Sequence, residues 1–316
     1  MIAHLLRLVL CLPLPPGERV SSEAKTGEGR QQAGPAVPVT PLAQTLTIGE
    51  PQGDTTPDLI LVPGIGLSLE VWRPWMVANA DRYRMHAVTL PGMAGTAPPP
   101  LPDPPRSDTP FLDNAAAAIA LYIEENDLDR PIVIGHGTGG MVAMLTGVRT
   151  PELVGGVASI TMAPAVPIAR SALTEQQRAE QAFAIIRNRN AAMTESAVAS
   201  ALQTTYSNTL ADGPLRDRVL DDASRCGVHV LSQYWPEVAF VDLIDEIAAN
   251  ESLPVLLCLP KLGPFRFADQ WHAIADAADA IMLVEFLASR SFCHYDEPDR
   301  FEASLQTLIE RSRTHD

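Results

Sequence analysis

The chain has 316 residues, 46% of them hydrophobic and 19% charged, and this composition excludes a disordered or coiled-coil protein. Its 38 acidic and 23 basic side chains give a formal net charge of −15, which argues against a nucleic-acid partner because phosphate binding needs a basic surface. No apolar run reaches the roughly 18–20 residues that span a bilayer, so we expect no membrane partner.

The N-terminal segment, residues 1–41, is predicted to be disordered or processed and to lie outside the fold. Its apolar start is interrupted by Arg7 and has no preceding basic residue, so we prefer this interpretation to a secretory signal peptide. Gly, Pro, Gln and charged residues fill most of the remaining segment.

The four cysteines have no metal-ligand spacing, and we therefore expect a reducing compartment, a cytoplasmic location and no bound metal.

Short apolar runs, most of which end at or near Gly or Pro, predict the strands of a sheet. They lie at residues 59–62, 83–90, 132–134, 157–162, 255–259 and 281–286. The runs are continuous rather than alternating, which is typical of parallel strands covered by helices on both faces. The fold class is therefore α/β, with a mostly parallel sheet flanked by helices.

Helical spacing of apolar residues appears between these strands. One such face, Ala116 to Ile123, follows Asp113 and Asn114, which we predict to be the caps of that helix. A second face covers residues 271–278, and a third begins after Pro298, a residue tolerated in the first turn of a helix. Helices of this kind would cover the two faces of the sheet.

One long stretch breaks the alternation of strands and helices. Residues 168–250 carry several helical patterns, one of them after a capping box at Thr174 and Gln177, and lack a convincing strand. We therefore predict a helical cap at 168–250, inserted between an α/β core first half at 42–167 and a core second half at 251–316. Such a cap would lie over the edge of the sheet where α/β folds bind ligands.

The sharpest local signal is PIVIGHGTGGMVAM, residues 131–144, where a buried strand passes through a Gly-rich turn into a helix that starts near Thr138. A phosphate cradle and a nucleophile elbow both use such a turn. The glycine spacing does not match GxGxxG and no P-loop Lys is present, so we expect neither a nucleotide nor another organic cofactor. The sequence favours an elbow, in which small residues flank the apex because the backbones crowd.

Several segments over residues 44–312 resemble, in the right order, the α/β-hydrolase superfamily. LILVPGIGLSLEVWRPWM resembles the loop after the first strand, AVTLPGMAG the next strand and its loop, and VIGHGTGGMVA the elbow. LVEFLASRSFCHYDEPDRF resembles the closing strand, the histidine loop and the last helix. The resemblance implies that the nucleophile, acid and histidine positions fall on Gly137, Gly263 and Ser291. None of these has the side chain that its role needs, which implies a degenerate catalytic triad.

The same resemblance implies what remains of the site. The oxyanion-hole donors fall on the backbone N–H groups of Ile65 and Thr138, which survive any side-chain change. Two histidines could serve as bases. His294, three residues past the vacated histidine position, is the predicted base and has an exposed or helix-capping role as its alternative. His136, next to the apex, has a role in packing as its alternative. The candidate catalytic residues are His294, Ser291 and Thr138, and the candidate substrate-binding residues are Ile65, Gly66, Gly137 and His136.

These residues predict a non-hydrolytic small-molecule enzyme of the lyase, cyclase or isomerase type. It would act on a hydrophobic ligand through the backbone donors, without a cofactor or a covalent intermediate. Two alternatives stay open: a catalytically dead, ligand-binding pseudoenzyme, and a hydrolase with displaced catalytic residues in which His294 activates water. Nothing in the sequence predicts an oligomeric state.

Overall fold

The computed structural model describes residues 38–53, 56–100, 109–165, 194–210, 212–238, 241–262 and 268–314. Three features of the sequence predictions lie outside these residues: most of the N-terminal segment, the capping box at Thr174 and Gln177, and Gly263. The cap boundaries at 168 and 250 therefore stay a prediction. None of the described helices is long and apolar enough to cross a membrane.

Within the described residues, seven strands form one sheet at the centre of the molecule. In chain order they are β1 (Gln44–Ile48), β2 (Leu59–Val62), β3 (Met85–Thr89), β4 (Ile132–His136), β5 (Gly156–Ile160), β6 (Val255–Pro260) and β7 (Ile281–Phe286). Their order in the sheet is β1-β3-β2-β4-β5-β6-β7, and every neighbouring pair is parallel except β1 with β3. The predicted α/β class with a mostly parallel sheet is confirmed.

The burial of the strands follows from their composition. Every residue of β2, β4, β5 and β6 is buried, as continuous apolar runs require. The edge strand β1 was missing from the prediction, because its sequence QTLTI alternates polar and apolar residues and is only partly buried. An antiparallel edge strand with one exposed face needs no continuous apolar run.

Ten α-helices are described, together with a 3-10 turn at Leu69–Val71 and a π-helical turn at Val230–Tyr234. In chain order the α-helices are α1 (Arg73–Ala78), α2 (Pro110–Glu125), α3 (Thr138–Arg149), α4 (Glu195–Ser207), α5 (Pro214–Ser224), α6 (Trp235–Val238), α7 (Ile244–Ala249), α8 (Ala268–Ala275), α9 (Cys293–Asp296) and α10 (Pro298–Thr314). Helices α4 to α7 all lie between β5 and β6 in the chain, within the stretch predicted to be a cap.

Two helix starts test the predicted caps. Helix α10 begins at Pro298, which confirms the position predicted for that proline. The caps predicted for α2 are wrong, because this helix begins at Pro110 after Thr109, about one turn before Asp113 and Asn114. The fixed φ of proline suits the first helical position, so the helix begins at Pro110, before the apolar face that starts at Ala116.

Candidate functional site

The turn between β4 and α3 is a sharp elbow. Its apex, Gly137, has φ 54° and ψ −124°, a conformation that favours glycine, and α3 begins at the next residue. A Cβ at Gly135 would lie 2.1 Å from the carbonyl oxygen of Gly139, and one at Gly139 would lie 2.4 Å from that of Pro63. The strand and the helix are thus too close for side chains at these positions, which is the crowding that the sequence predicts around the apex.

The space over the apex is open. A Cβ added at Gly137 would have a single neighbour within 4 Å among the described residues, the Cα atom of Gly64 at 3.9 Å. Gly137 itself has no side-chain atom that could attack a substrate. Among the described residues, the elbow therefore leaves space at the point where it would project a nucleophile.

Two backbone N–H groups border this elbow. Thr138 is the first residue of α3, so its N–H has no intrahelical acceptor and lies at the positive end of the helix dipole. Ile65 lies in the loop after β2, and its N–H makes no hydrogen bond to another described residue. Both groups can therefore donate to an oxygen that carries negative charge. The N–H of Gly66 cannot do so freely, because it already donates to the sulfur of Met93 at 3.1 Å.

Side chains from α4 and α5 fix the loop that carries Ile65. Tyr206 on α4 donates its hydroxyl to the carbonyl oxygen of Ile65 at 2.6 Å. The buried carboxylate of Asp222 on α5 accepts hydrogen bonds from the backbone N–H and the hydroxyl of Ser68, at 2.8 and 2.6 Å. The helices between β5 and β6 therefore help to position one of the two predicted oxyanion donors.

The residues on either side of Gly137 each carry a buried polar atom without a partner among the described residues. These atoms are Nδ1 of His136 and Oγ1 of Thr138. A buried donor or acceptor that lacks a hydrogen bond costs roughly 1–3 kcal/mol, and such atoms are uncommon in native proteins. Both atoms are therefore available to a polar group from outside the described residues.

The fold brings Ser291 and His136 into contact. The Ser291 Oγ lies 3.0 Å from Nε2 of His136, and both residues are 3% exposed. The ring of Phe292 stacks on the imidazole, with 4.2 Å between the ring centroids. Burial lowers the pKa of His136 to about 4, although a hydrogen bond to the backbone of Ser291 opposes this shift. The imidazole is therefore neutral at pH 7.

The predicted base, His294, lies instead in an aromatic cluster. The members of this aromatic cluster are Trp72, Trp75, Tyr295 and Phe301. The His294 ring stacks on Trp72 with 4.3 Å between centroids, and neither ring nitrogen has a hydrogen-bond partner among the described residues. Burial lowers the pKa of His294 well below its usual range. The geometry gives His294 no contact that would support its role as a base, and this assignment stays a prediction.

Metal-binding side chains do not converge in the described part of the chain, where we find no group of three or more His, Cys, Asp or Glu residues suited to a metal ion. Cys226, Cys258 and Cys293 are buried free thiols. Burial raises the pKa of Cys226 to about 11, so its thiol is protonated at neutral pH. These thiols are suited to packing rather than to nucleophilic attack.

Comparison with known proteins adds a family and a set of relatives. The sequence model of the alpha/beta hydrolase family matches residues 59–304. The chain is 28% identical over 107 residues to the pimeloyl-[acyl-carrier protein] methyl ester esterase of Edwardsiella ictaluri, over 34% of this chain and 37% of that protein. It is 23% identical over 276 residues to the biotin biosynthesis bifunctional protein BioHC of Cellvibrio japonicus, over 82% of this chain and 49% of that protein.

The chain thus spans less than half the length of these curated relatives. Among solved structures, a hydrolase from Pseudomonas aeruginosa PA01 has the same fold, with a TM-score of 0.65 and 18% sequence identity. That likeness covers 84% of this chain and 93% of the other.

Proposed function

The chain belongs to the alpha/beta hydrolase family, and from that premise we propose that it is a non-hydrolytic member acting on the carbonyl group of a hydrophobic small molecule. The reaction would be of the lyase, cyclase or isomerase type and would need no cofactor. The observation that carries this proposal is Gly137 at the apex of the elbow. It leaves open space beside the two backbone donors of Ile65 and Thr138.

The chemistry of these donors defines the reactions that the site can assist. Elimination, retro-aldol cleavage, cyclisation and enolisation all develop negative charge on a carbonyl oxygen. Two N–H groups aimed at that oxygen stabilise the charge, by about 3–4 kcal/mol each in enzymes that use them. This stabilisation requires no bond between the protein and the substrate, so glycine at position 137 is no obstacle to it.

The relatives named above include an esterase and a hydrolase. We propose that this chain differs from them in the step that forms an acyl-enzyme. Ester hydrolysis through an acyl-enzyme needs a nucleophilic side chain that a neighbouring base activates. Gly137 has no such side chain. Ser291, at the position of the family histidine, is no general base by itself near neutral pH. We therefore treat the family triad as degenerate in this chain.

A labelling experiment tests the proposal. The native protein is incubated with a fluorophosphonate probe and with p-nitrophenyl esters, and adducts are located by mass spectrometry. We expect neither a stoichiometric adduct nor ester turnover above background. The double variant Gly137→Ser with Ser291→His serves as the matched comparison, because it returns a hydroxyl to the apex and an imidazole to position 291; we expect a measurable adduct on residue 137. A covalent adduct on the native protein together with rapid ester turnover would overturn the proposal.

A further inference from the structure

Every backbone N–H group from Gly66 to Leu69, after β2, donates a hydrogen bond, whereas that of Ile65 has no partner among the described residues. Two side chains that bind this loop, Tyr206 and Asp222, come from α4 and α5. We propose that Tyr206 is a positioning residue for the Ile65 donor. Binding of a negatively charged oxygen at the elbow and packing of α4 on the loop then stabilise each other. The inference rests on the proposed function, because Ile65 is one of the two donors which that reaction uses.

The backbone around Ile65 forms a tight turn. The N–H of Leu67 donates to the carbonyl oxygen of Gly64 at 3.1 Å, and Gly66 between them has φ 77°. A positive φ at the third of four residues is typical of a type II turn, in which glycine is favoured at that position. Ile65 follows Gly64, whose Cα atom is 3.9 Å from a Cβ added at Gly137. The turn therefore holds the donor beside the open space over the apex.

Helix α4 packs directly on this turn. Tyr206 is buried, and its hydroxyl donates to the Ile65 carbonyl oxygen at 2.6 Å. A Cβ added at Gly66 would lie 2.9 Å from Cδ1 of Leu202 on the same helix and 3.0 Å from Sγ of Cys226. Burial raises the pKa of Tyr206 well above its usual range, so the hydroxyl stays a donor at neutral pH. The turn and α4 thus fit closely, and Tyr206 fixes the peptide between Ile65 and Gly66.

Further contacts hold the turn from other sides. The N–H of Gly66 donates to Sδ of Met93 in the loop after β3, at 3.1 Å, and Sγ of Cys226 donates to the Gly66 carbonyl oxygen at 3.2 Å. Asp222 accepts both hydrogen bonds from Ser68. A turn held in this way has one favoured orientation, and loss of the contact with α4 removes the partner of its central carbonyl group.

This geometry couples the ligand to α4. A ligand shifts a conformational equilibrium towards the state that it binds better. The state with α4 packed on the turn holds the Ile65 N–H in one direction, so it binds the ligand oxygen better than a state in which the Tyr206 hydrogen bond is broken. By linkage, the bound oxygen favours the packing of α4 by the same factor.

An NMR titration tests the inference with 4-phenylbutanoate as the probe. Its carboxylate offers a negatively charged oxygen to the two donors, and its phenyl group suits a site for a hydrophobic ligand. The probe should shift the amide signals of Ile65 and Thr138 in the native protein, and the titration gives its Kd. Tyr206→Phe removes the hydroxyl alone and should raise this Kd about tenfold, within the usual range of coupling between two sites.

Tyr122→Phe is the matched control. The hydroxyl of Tyr122 lies 3.0 Å from Nδ1 of His86 on β3 rather than at the loop after β2. Both variants lose one hydroxyl contact and should lose some stability in urea denaturation, but Tyr122→Phe should keep the native Kd. A merely structural role of Tyr206 would lower stability and leave the Kd unchanged.

Hydrogen exchange in the native protein tests the reverse direction without a substitution. Saturation with the probe should slow the exchange of backbone amides in α4 (Glu195–Ser207), because the bound oxygen favours the packed state. Tyr206→Phe, saturated with the probe at its own Kd, should lose this protection. Mass spectrometry of the peptides that cover α4 measures the effect.

Two outcomes would overturn the inference alone. They are an unchanged Kd in Tyr206→Phe and, in the native protein, exchange in α4 that the probe does not slow. Both leave the proposed function standing, because the donors would still bind the oxygen. A titration that shifts neither Ile65 nor Thr138 would overturn both. The labelling experiment fails through a covalent adduct, a result that none of these measurements produces, so the two failures are distinguishable.

Discussion

Two buried histidines lie against the same phenylalanine, and their surroundings differ. The ring of Phe292 is 4.2 Å from that of His136 and 6.0 Å from that of His294, measured between centroids. His136 has a polar partner in Ser291 and lies beside the open space at the elbow. His294 is enclosed by the aromatic cluster and has no polar partner among the described residues. Burial makes both rings neutral, so neutrality alone does not identify a base.

Burial alone does not distinguish the two histidines, whereas a hydrogen bond to a hydroxyl group does. The hydroxyl of Ser291 gives His136 this hydrogen bond. The rings around His294 stack on it, and its nitrogens have no hydrogen-bond partner among the described residues. We therefore expect the two histidines to contribute alike to the pH dependence of stability and differently to the unfolding free energy at pH 7.5.

The largest expected effect is acid destabilisation through both histidines. The pKa of His136 is about 4 in the folded state and 6.5 in the unfolded chain, so the unfolded state binds more protons between these values. Stability is complete above pH 6.5 and falls as the pH drops from 6.5 towards 4, by about 3 kcal/mol for His136 at roughly 1.4 kcal/mol per unit. The pKa of His294 is lowered as well and acts in the same direction.

Urea denaturation at pH 7.5, 6.5, 5.5 and 4.5 measures this loss. The variants His136→Gln and His294→Phe isolate each contribution, because carboxylates that titrate in the same range remain in both. Each variant should show a smaller loss of unfolding free energy between pH 6.5 and 4.5 than the native protein. Equal losses in all three proteins would contradict the burial of neutral imidazoles.

A smaller effect is expected at Gly64, which lies in the loop after β2 and packs between the elbow and α4. A Cβ there would lie 2.7 Å from Nδ1 of His136 and 3.2 Å from the hydroxyl oxygen of Tyr206. Gly64→Ala should therefore displace the imidazole from Ser291 and cost about 1–3 kcal/mol, as overpacking of a well-packed core does. Chemical denaturation measures the loss.

A double-mutant cycle sharpens this result. His136→Ala removes the ring that the new methyl group would meet, so Gly64→Ala should cost less in that background. We expect a coupling free energy of at least about 1 kcal/mol between the two positions. Additive effects would mean that the contact between Gly64 and the imidazole is not the source of the loss.

The sequence predicts the central strands and the elbow, because these features depend on local patterns. Continuous apolar runs locate β2 to β7, and the glycines at 135 and 139 are required where α3 crosses the strands. The pairing of His136 with Ser291 depends on the fold, since 155 residues separate the two and the sheet brings them together. Resemblance to the family placed both residues in the site but could not show their hydrogen bond.

The sequence pointed to His294 for a reason that the structure explains. The prediction of His294 as the base assumes that residues 291–294 form an irregular loop, in which a modest shift could direct this side chain at the pocket. Residues 293–296 instead form a short helix, α9, and this helix directs His294 towards Trp72. This single helical turn places His294 in the aromatic cluster, and its role as the base stays a prediction.

The smallest expected effect, and the one that separates the two histidines most directly, comes from His294→Phe. Phenylalanine keeps an aromatic ring in the cluster and removes two buried nitrogens that have no partner among the described residues, so the unfolding free energy at pH 7.5 should rise by about 1 kcal/mol. His136→Phe is the matched comparison and should be destabilising, because it leaves the hydroxyl of Ser291 without its hydrogen-bond partner. A lower unfolding free energy for His294→Phe than for the native protein would indicate that the His294 nitrogens have polar partners in the folded protein.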